Sequence, residues 1–285
     1  MVLLCHMLVN AAYISSTTTQ SLTHQRHMRM LDSDDHHAAV VLPGPAEDLM
    51  LPGEYRWIRL VDDRHALTTQ AARSAPFNGL LAQTTNGAGS TVVPLLQLQT
   101  SRREDQAGAF IEVQCVGRGV IKSAGSGGVA WASVTVHADE TSQEHSCDDA
   151  MQDLRQQHAA CLDASARLEH ALGDVAQDGA AWAGIPGDSD TASGVTTFLR
   201  TPVDQLISER RNALRRRALG ANVKSDAELL SYAACSCLEP LDRLRAIESS
   251  STRDRLLLCV QGIRERHGGI TARIALEKAL RSSCE

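Results

Sequence analysis

VVLPGPAEDLMLPGEYRWIRLVDDRHALTTQAA, residues 40–72, decides how the front of this chain folds. Leu51-Pro52-Gly53-Glu54 is a turn signal between two apolar runs, because Pro fixes φ and Gly accepts a positive φ at which another side chain would clash. Arg56, Ile58 and Leu60 then read as a short extended piece, and residues 62–72 have helical spacing with Leu67 and Ala71 on one face. Further along, 80–83, 92–99, 110–116 and 131–136 are β-branched and apolar runs. Their separators NGAGS, SRREDQAG and KSAGSGG read as turns or loops. Val134 and Val136 alternate with polar neighbours, so at least one face of that strand is half-buried. Several short strands with one helix predict a small curved sheet that closes on itself.

The chain has 285 residues, of which 43% are apolar, enough for one large or two modest domains. Only 3% are aromatic, so Leu, Val, Ile and Ala must build the core. The net charge of −6 supplies no general attraction to phosphate backbones, and a nucleic-acid partner would need a local basic patch. Cys5, Cys115, Cys147, Cys161, Cys235, Cys237, Cys259 and Cys284 lie mostly among apolar neighbours and read as free, buried thiols in a reducing compartment. Cys235 and Cys237 are the one close pair, but a two-residue offset turns side chains about 200° apart on a helix, so they would not share a metal.

Residues 1–37 differ from the rest. Val2 opens an apolar run that is too short to span a bilayer, and no acid appears before Asp32. That composition fits a disordered tail or a targeting peptide, which would send the protein to a plastid or mitochondrion; without targeting it is expected in the cytoplasm. His24, His27, His36 and His37 complete no metal geometry and read as incidental polar residues of this segment.

A first domain is expected over 38–140 and a helical one over 141–285, with a flexible insertion at 178–200 containing GIPGDSDTASG. Cys147, Met151, Leu154, His158, Cys161, Ser165, Leu168, Leu172 and Val175 recur at steps of four and three, a heptad seam over 147–175. Such a seam packs either on its own domain or against a second copy in a homodimer. Thr201-Pro202 reads as an N-cap with Pro at the first helical position, and Ser225 with Glu228 as a capping box. Gly220 and Gly268 are placed to end helices. Arg210, Arg211, Arg215, Arg216 and Arg217 read as the solvated face of a helix whose apolar stripe is Val203, Leu206, Ile207, Ala213 and Leu214.

The order Pro52, Gly53, Glu54, then Asp62, Arg64 and His65, then Phe77, Gly79, Leu80 and Leu81, then Gly117 and Arg118 resembles the N-terminal, substrate-binding domain of the Lon protease family. Asp62 stands where that family usually has glutamate, and His65 where it usually has an aromatic. Leu238 and Pro240, then Leu241, Leu244 and Ile247, then Arg255, Leu256, Leu257, Val260 and Ile263 resemble the helical tail of the same region. The resemblance implies an α+β fold, a PUA-like β pseudo-barrel followed by a C-terminal helical bundle. It also implies that the motif residues Pro52, Gly53, Glu54, Asp62, Arg64, Phe77, Gly79, Gly117 and Arg118 serve the fold more than contact with a ligand.

No catalytic residues, metal ligands or cofactors are assigned. In Gly117-Arg-Gly-Val-Ile-Lys-Ser, Ile121 stands where a phosphate-binding loop needs its second Gly. The sequence ends at Glu285 with no Walker motif and no length for the ATPase and protease modules of a full Lon protease, so a non-enzymatic protein- or peptide-binding role is expected. By resemblance its partners are unfolded or client proteins, with a protease or ligase in trans. The alternatives are a PUA-like RNA-binding protein, which the charge balance disfavours, and a substrate receptor of a ubiquitin ligase.

Overall fold

A computed structural model describes residues 36–60, 64–85, 90–104, 108–126, 129–139, 147–172, 198, 201–215 and 225–282. Six strands, β1 (His36–Gly44), β2 (Tyr55–Leu60), β3 (Leu80–Thr85), β4 (Val92–Glu104), β5 (Gly108–Ser126) and β6 (Ala130–Val136), make one sheet. Its order is β2-β5-β4-β3-β1-β6, with β5 also paired to β6. Five strands therefore close into a ring, and β2 hangs outside it on β5. Neighbours are antiparallel except β1 and β3, which run parallel. Helix α1 (Arg64–Arg73) packs on this ring, and behind it lie α2 (Asp148–Leu172), α3 (Val203–Arg215), α4 (Asp226–Ala234), α5 (Pro240–Glu248) and α6 (Thr252–Ser282). The α+β class and the barrel-then-bundle order are those expected from the sequence.

Strand β5 is the spine. Its first half pairs with β2 from Ala109 to Gln114 and its second half with β6 from Gly119 to Ser126, while β4 follows it along most of its length. The change of partner falls beside a bulge, where Leu95 pairs with Gly117 and Leu96 with Cys115, leaving Val116 extra. A bulge bends the strand and re-aims the side chains that follow it. Residues 122–126, expected in a loop, continue the strand instead. Gly125 permits this because the Trp131 ring of the paired β6 lies 2.6 Å from where a Cβ would stand.

Three apolar clusters fill the molecule. Two lie in the ring, one around Leu81, Leu96, Ile111 and Val113 and one around Leu95, Val116, Ala132 and Val134. The third joins helices α2 to α6 and takes in Leu49 and Leu51 of the β domain, while α1 packs its Ala72 into the ring. Met50 between them belongs to the ring. Because alternate residues of an extended chain point to opposite sides, Leu49-Met50-Leu51 stitches the two cores together.

A buried ionic joint fixes the same interface. Arg118, just past the bulge, is 2% exposed and donates to the carbonyls of Ile247 (2.6 Å) and Ser249 (2.5 Å) at the end of α5. Both Arg118 and Arg255 of α6 donate to the carboxylate of Asp139, and Thr252 Oγ1 donates to it at 2.5 Å. The Tyr232 ring of α4 lies under both guanidiniums, at 4.6 Å from Arg255 and 5.6 Å from Arg118. Burial alone would raise the pKa of Asp139; hydrogen bonds and charge from Arg255, then Arg118, outweigh it and hold the carboxyl below its ordinary range.

Several expectations change. Strand β1 starts at His36, inside the segment assigned to 1–37, because His36 and His37 pair with Thr135 and Val134 of β6. Leu67 does not share the inward face with Ala71; it is exposed, and Ala72 takes the buried position. The seam of α2, through Leu154, His158, Cys161, Ser165 and Leu168, is buried against the chain's own helices, chiefly α6, which is the own-domain packing of the two expected; Val175 lies outside the described residues. Helix α6 runs through Gly268 to Ser282, and Ile270 beyond that glycine is buried in the bundle, which outweighs the modest helix cost of Gly. Pro202 supplies the carbonyl for the first turn of α3, bonded by the Leu206 N–H, so the cap lies one residue past Thr201. Ser225 caps α4 by accepting from the Glu228 N–H. Leu241 of α5 is exposed, while Ile247 carries the packing expected of that face. Among the described residues six cysteines are buried and form no disulfide, and Cys235 meets Cys259 at 3.5 Å between sulfurs. Residues 1–35, Asp62, Gly220 and all of 178–200 except Phe198 lie outside the described residues.

Replacing Asp139 by Ala would leave two buried guanidiniums without a carboxylate, a loss of roughly 3–5 kcal/mol, read as a lower urea midpoint at constant m. Since the folded-state pKa of Asp139 is depressed, its contribution is complete above the ordinary carboxylate range and disappears as pH falls through the depressed value. The Asp139→Asn protein is therefore expected to show a flatter loss of stability in acid, measured by urea melts across the acid range.

Candidate functional site

The Leu51-Pro52-Gly53-Glu54 turn forms as its residues dictate, and it borders a cleft in the described surface. Gly53 has φ of +88°, and the Glu54 N–H bonds the Leu51 carbonyl at 2.9 Å. The carboxylate of Glu54 folds back to accept from the Leu51 N–H at 3.0 Å. Gly53 N–H donates to the Cys115 carbonyl and Cys115 N–H to the Glu54 carbonyl, which ties the turn to β5 just before its bulge.

Three arginines converge on Glu54. Arg210 of α3 approaches one oxygen at 3.4 Å and donates to the Pro52 carbonyl at 3.1 Å; Arg243 of α5 lies 3.5 Å from the same oxygen, and Arg56 of β2 lies 3.8 Å from the other. Burial pushes the Glu54 carboxyl up, but Arg210 and Arg243, then the Leu51 N–H and Arg56, bring it below its ordinary range. Arg210 thus departs from the solvated face expected of its cluster. It is a part-buried strut between α3 and the β domain, whereas Arg211 and Arg215 are exposed.

Between the turn with β2 on one side and α3 on the other runs a cleft of about 730 Å³. Residues 53–57 form one wall, and Leu206, Glu209, Arg210 and Ala213 form the other. Phe198, which is buried, closes part of it; its ring meets that of His158 edge-on at 5.0 Å, and its carbonyl lies 3.0 Å from His158 Nε2. Gln114 of β5 donates to the Ala213 carbonyl at 2.5 Å, fixing α3 over the sheet. At the mouth, Tyr55 is 56% and Trp57 41% exposed. They share a face with Arg59, opposite Gln114, Glu112 and Phe110 of β5.

The motif residues fall chiefly at joints. Pro52, Gly53 and Glu54 build the turn, and Arg118 locks the ring to the helices. Phe77 packs half-buried on the ring core; Gly79, at φ +84°, donates to Ala72 and accepts from Leu98, starting β3. Gly117 sits at the bulge. Arg64 opens α1, its side chain outside the described residues like Asp62. The extended piece expected from Arg56, Ile58 and Leu60 does not by itself single out Tyr55 and Trp57. Period-two alternation in YRWIRL put those two aromatics on the opposite face, and that was the available signal. Among the described residues, no group of three or more His, Cys, Asp or Glu could hold a metal ion, and no helix is long and apolar enough to cross a membrane.

No protein-family model matches the sequence, and no curated protein matches it. Among solved structures, the chain is similar to the N-terminal domain of the Mycobacterium avium complex Lon protease, at 16% identity and a TM-score of 0.49, over 80% of this chain and 98% of that one. It is also similar to a Lon N-terminal domain protein from Xanthomonas campestris, at 8% identity and a TM-score of 0.41, over 77% of this chain and 94% of that one.

A Cβ at position 53 would stand 2.8 Å from Arg210 Cδ in a backbone conformation that L side chains rarely adopt. Gly53→Ala is therefore expected to cost about 1–3 kcal/mol, seen as a lower midpoint in thermal denaturation.

Proposed function

We propose that this chain is a non-catalytic binding protein that captures exposed, apolar stretches of other polypeptides in the cleft between β2 and α3. Any cutting or remodelling of the captured protein is then done by a partner in trans. The observation that carries this reading is the pairing of a cleft of about 730 Å³ with two outward aromatics, Tyr55 and Trp57, in a chain that is only 3% aromatic. The likeness of the motif order to Lon N-terminal domains, read from the sequence, points the same way.

The energetics suit weak, repeated capture. A fully buried aromatic removes roughly 150–250 Å² from water. At about 25 cal/mol per Å², covering the exposed parts of Tyr55 and Trp57 contributes about 2–3 kcal/mol apiece. Association and ordering costs take back much of that. Affinity therefore depends on what else the bound segment meets in the cleft.

RNA binding draws on the same aromatic face, since bases stack on Tyr and Trp. The ionisable residues lining the cleft argue for polypeptide instead. Glu54, Glu112 and Glu209 stand against Arg56 and Arg210, which leaves no positive excess to hold a phosphate backbone.

The test is fluorescence anisotropy with a labelled, reduced and carboxymethylated polypeptide that cannot fold. The full chain should bind it saturably, and the Tyr55→Ala/Trp57→Ala double variant should bind about tenfold more weakly or worse, with an unchanged far-UV spectrum. Unaltered binding by the double variant, or preferential binding of single-stranded RNA that survives moderate salt, would overturn the reading.

A further inference from the structure

We propose that Cys235 and Cys259 are a redox-active pair, which a hydroperoxide converts to an intramolecular disulfide inside the helical bundle. This inference goes beyond polypeptide capture and does not depend on it.

Cys235 opens the short turn Cys235–Cys237 that follows α4, and Cys259 sits in α6 about one turn beyond Arg255. Their sulfurs lie 3.5 Å apart, and both residues are buried. The two helices are held in the register that makes this contact. Cys259 Sγ reaches the Ser231 carbonyl of α4 at 3.7 Å, and Arg255 Nε donates to Ser231 Oγ at 3.1 Å. Gly262, further along α6, faces Leu238, just past the turn. A Cβ there would stand 2.8 Å from Leu238 Cδ2, so the glycine lets α6 approach the turn closely.

A buried thiol in apolar surroundings is ordinarily inert, because burial disfavours the thiolate. Cys235 departs from that pattern. A hydrogen bond from the Cys259 thiol, helped by the charges of Arg255, Arg243 and Arg210, outweighs burial and lowers the Cys235 pKa. Burial and the neighbouring Cys235 raise that of Cys259, which keeps its proton. The pair thus has one attacking and one resolving sulfur. Ala233 and Ser236, which bracket Cys235, line the cleft, so open space comes within two residues of the attacking sulfur.

The Cys235 thiolate attacks one oxygen of the hydroperoxide; an S–O bond forms and the O–O bond breaks. The leaving alkoxide takes the proton that Cys235 gave up, which leaves a sulfenic acid. Cys259 sulfur then attacks the Cys235 sulfur, the S–S bond forms, and hydroxide departs with the Cys259 proton as water. The two thiols lose two electrons, and the hydroperoxide takes both.

The experiment treats the full, reduced chain with hydrogen peroxide, alkylates the remaining thiols with N-ethylmaleimide, and maps linked peptides by mass spectrometry. The expected product joins the peptides of Cys235 and Cys259 with the mass of two hydrogens lost, and dithiothreitol reverses it. In urea, where the contact is gone, the same link should form about tenfold more slowly or worse. Cys259→Ser should stop at a sulfenic acid on Cys235 that dimedone traps, whereas Cys235→Ser should label at Cys259 about tenfold less. Several results would overturn the proposal: Cys235 joined in the native chain to Cys237 or any other cysteine, both sulfurs left unoxidised, a link that forms no faster than in urea, or equal dimedone labelling of the two variants. The map of the unaltered chain decides the matter where a variant fails to fold.

Discussion

One carboxylate, that of Asp139, lies between two buried guanidiniums, and the placement of the ring against the helices depends on it. Arg118 comes from β5 and Arg255 from α6, and each also donates to the Ser249 carbonyl in the link between α5 and α6. A buried ion pair adds little to stability when compared with well-packed apolar residues, because desolvation consumes most of the attraction. Its effect is instead on position. Sliding the ring along the bundle would strand a positive charge where water cannot reach it, so the interface tolerates one register. The Tyr232 ring beneath both guanidiniums narrows that choice further.

The second joint, at Glu54, uses the same chemistry at a looser setting. Arg210, Arg243 and Arg56 reach it from α3, α5 and β2, at longer distances and with more exposure than the partners of Asp139. Arg210 holds α3 near the end of β2 without closing the space between them. The same turn that ties the two parts together thus leaves the cleft open. Residues that serve the fold in this way set the dimensions of the site even though the walls that meet a ligand are other residues.

Much of this was legible in the sequence, and the misses have physical causes. The turn at Pro52-Gly53, strands β2 to β6, the helix cap at Ser225 and the buried thiols all follow from local chemistry, whereas β1 does not announce itself. The resemblance named Glu54 and Arg118, but nothing local to them revealed their partners, because Arg210, Arg243, Asp139 and Arg255 are distant in sequence. Periodicity also identified α2 and its apolar seam while leaving open what covers it; α6 does so. Residues 122–126 read as a loop because small residues and glycines usually break strands, and the exception required the Trp131 ring of the neighbouring strand. The exposed aromatics of β2 were visible as an alternation, but their value came only with α3 standing opposite.

The ring has its seam at β1. This strand lies between β3 and β6, and it joins β6 by pairing His36 with Thr135, near the two ends of the β domain. Hairpins such as β5 with β6 assemble from neighbouring chain, at little entropic cost; β1 must be brought in from far away before its hydrogen bonds can compensate. Until it arrives, β3 and β6 both present raw borders, and a second molecule in the same condition could splice onto either. Locking β1 in place removes both borders at once and leaves each strand of the ring with a partner on either side.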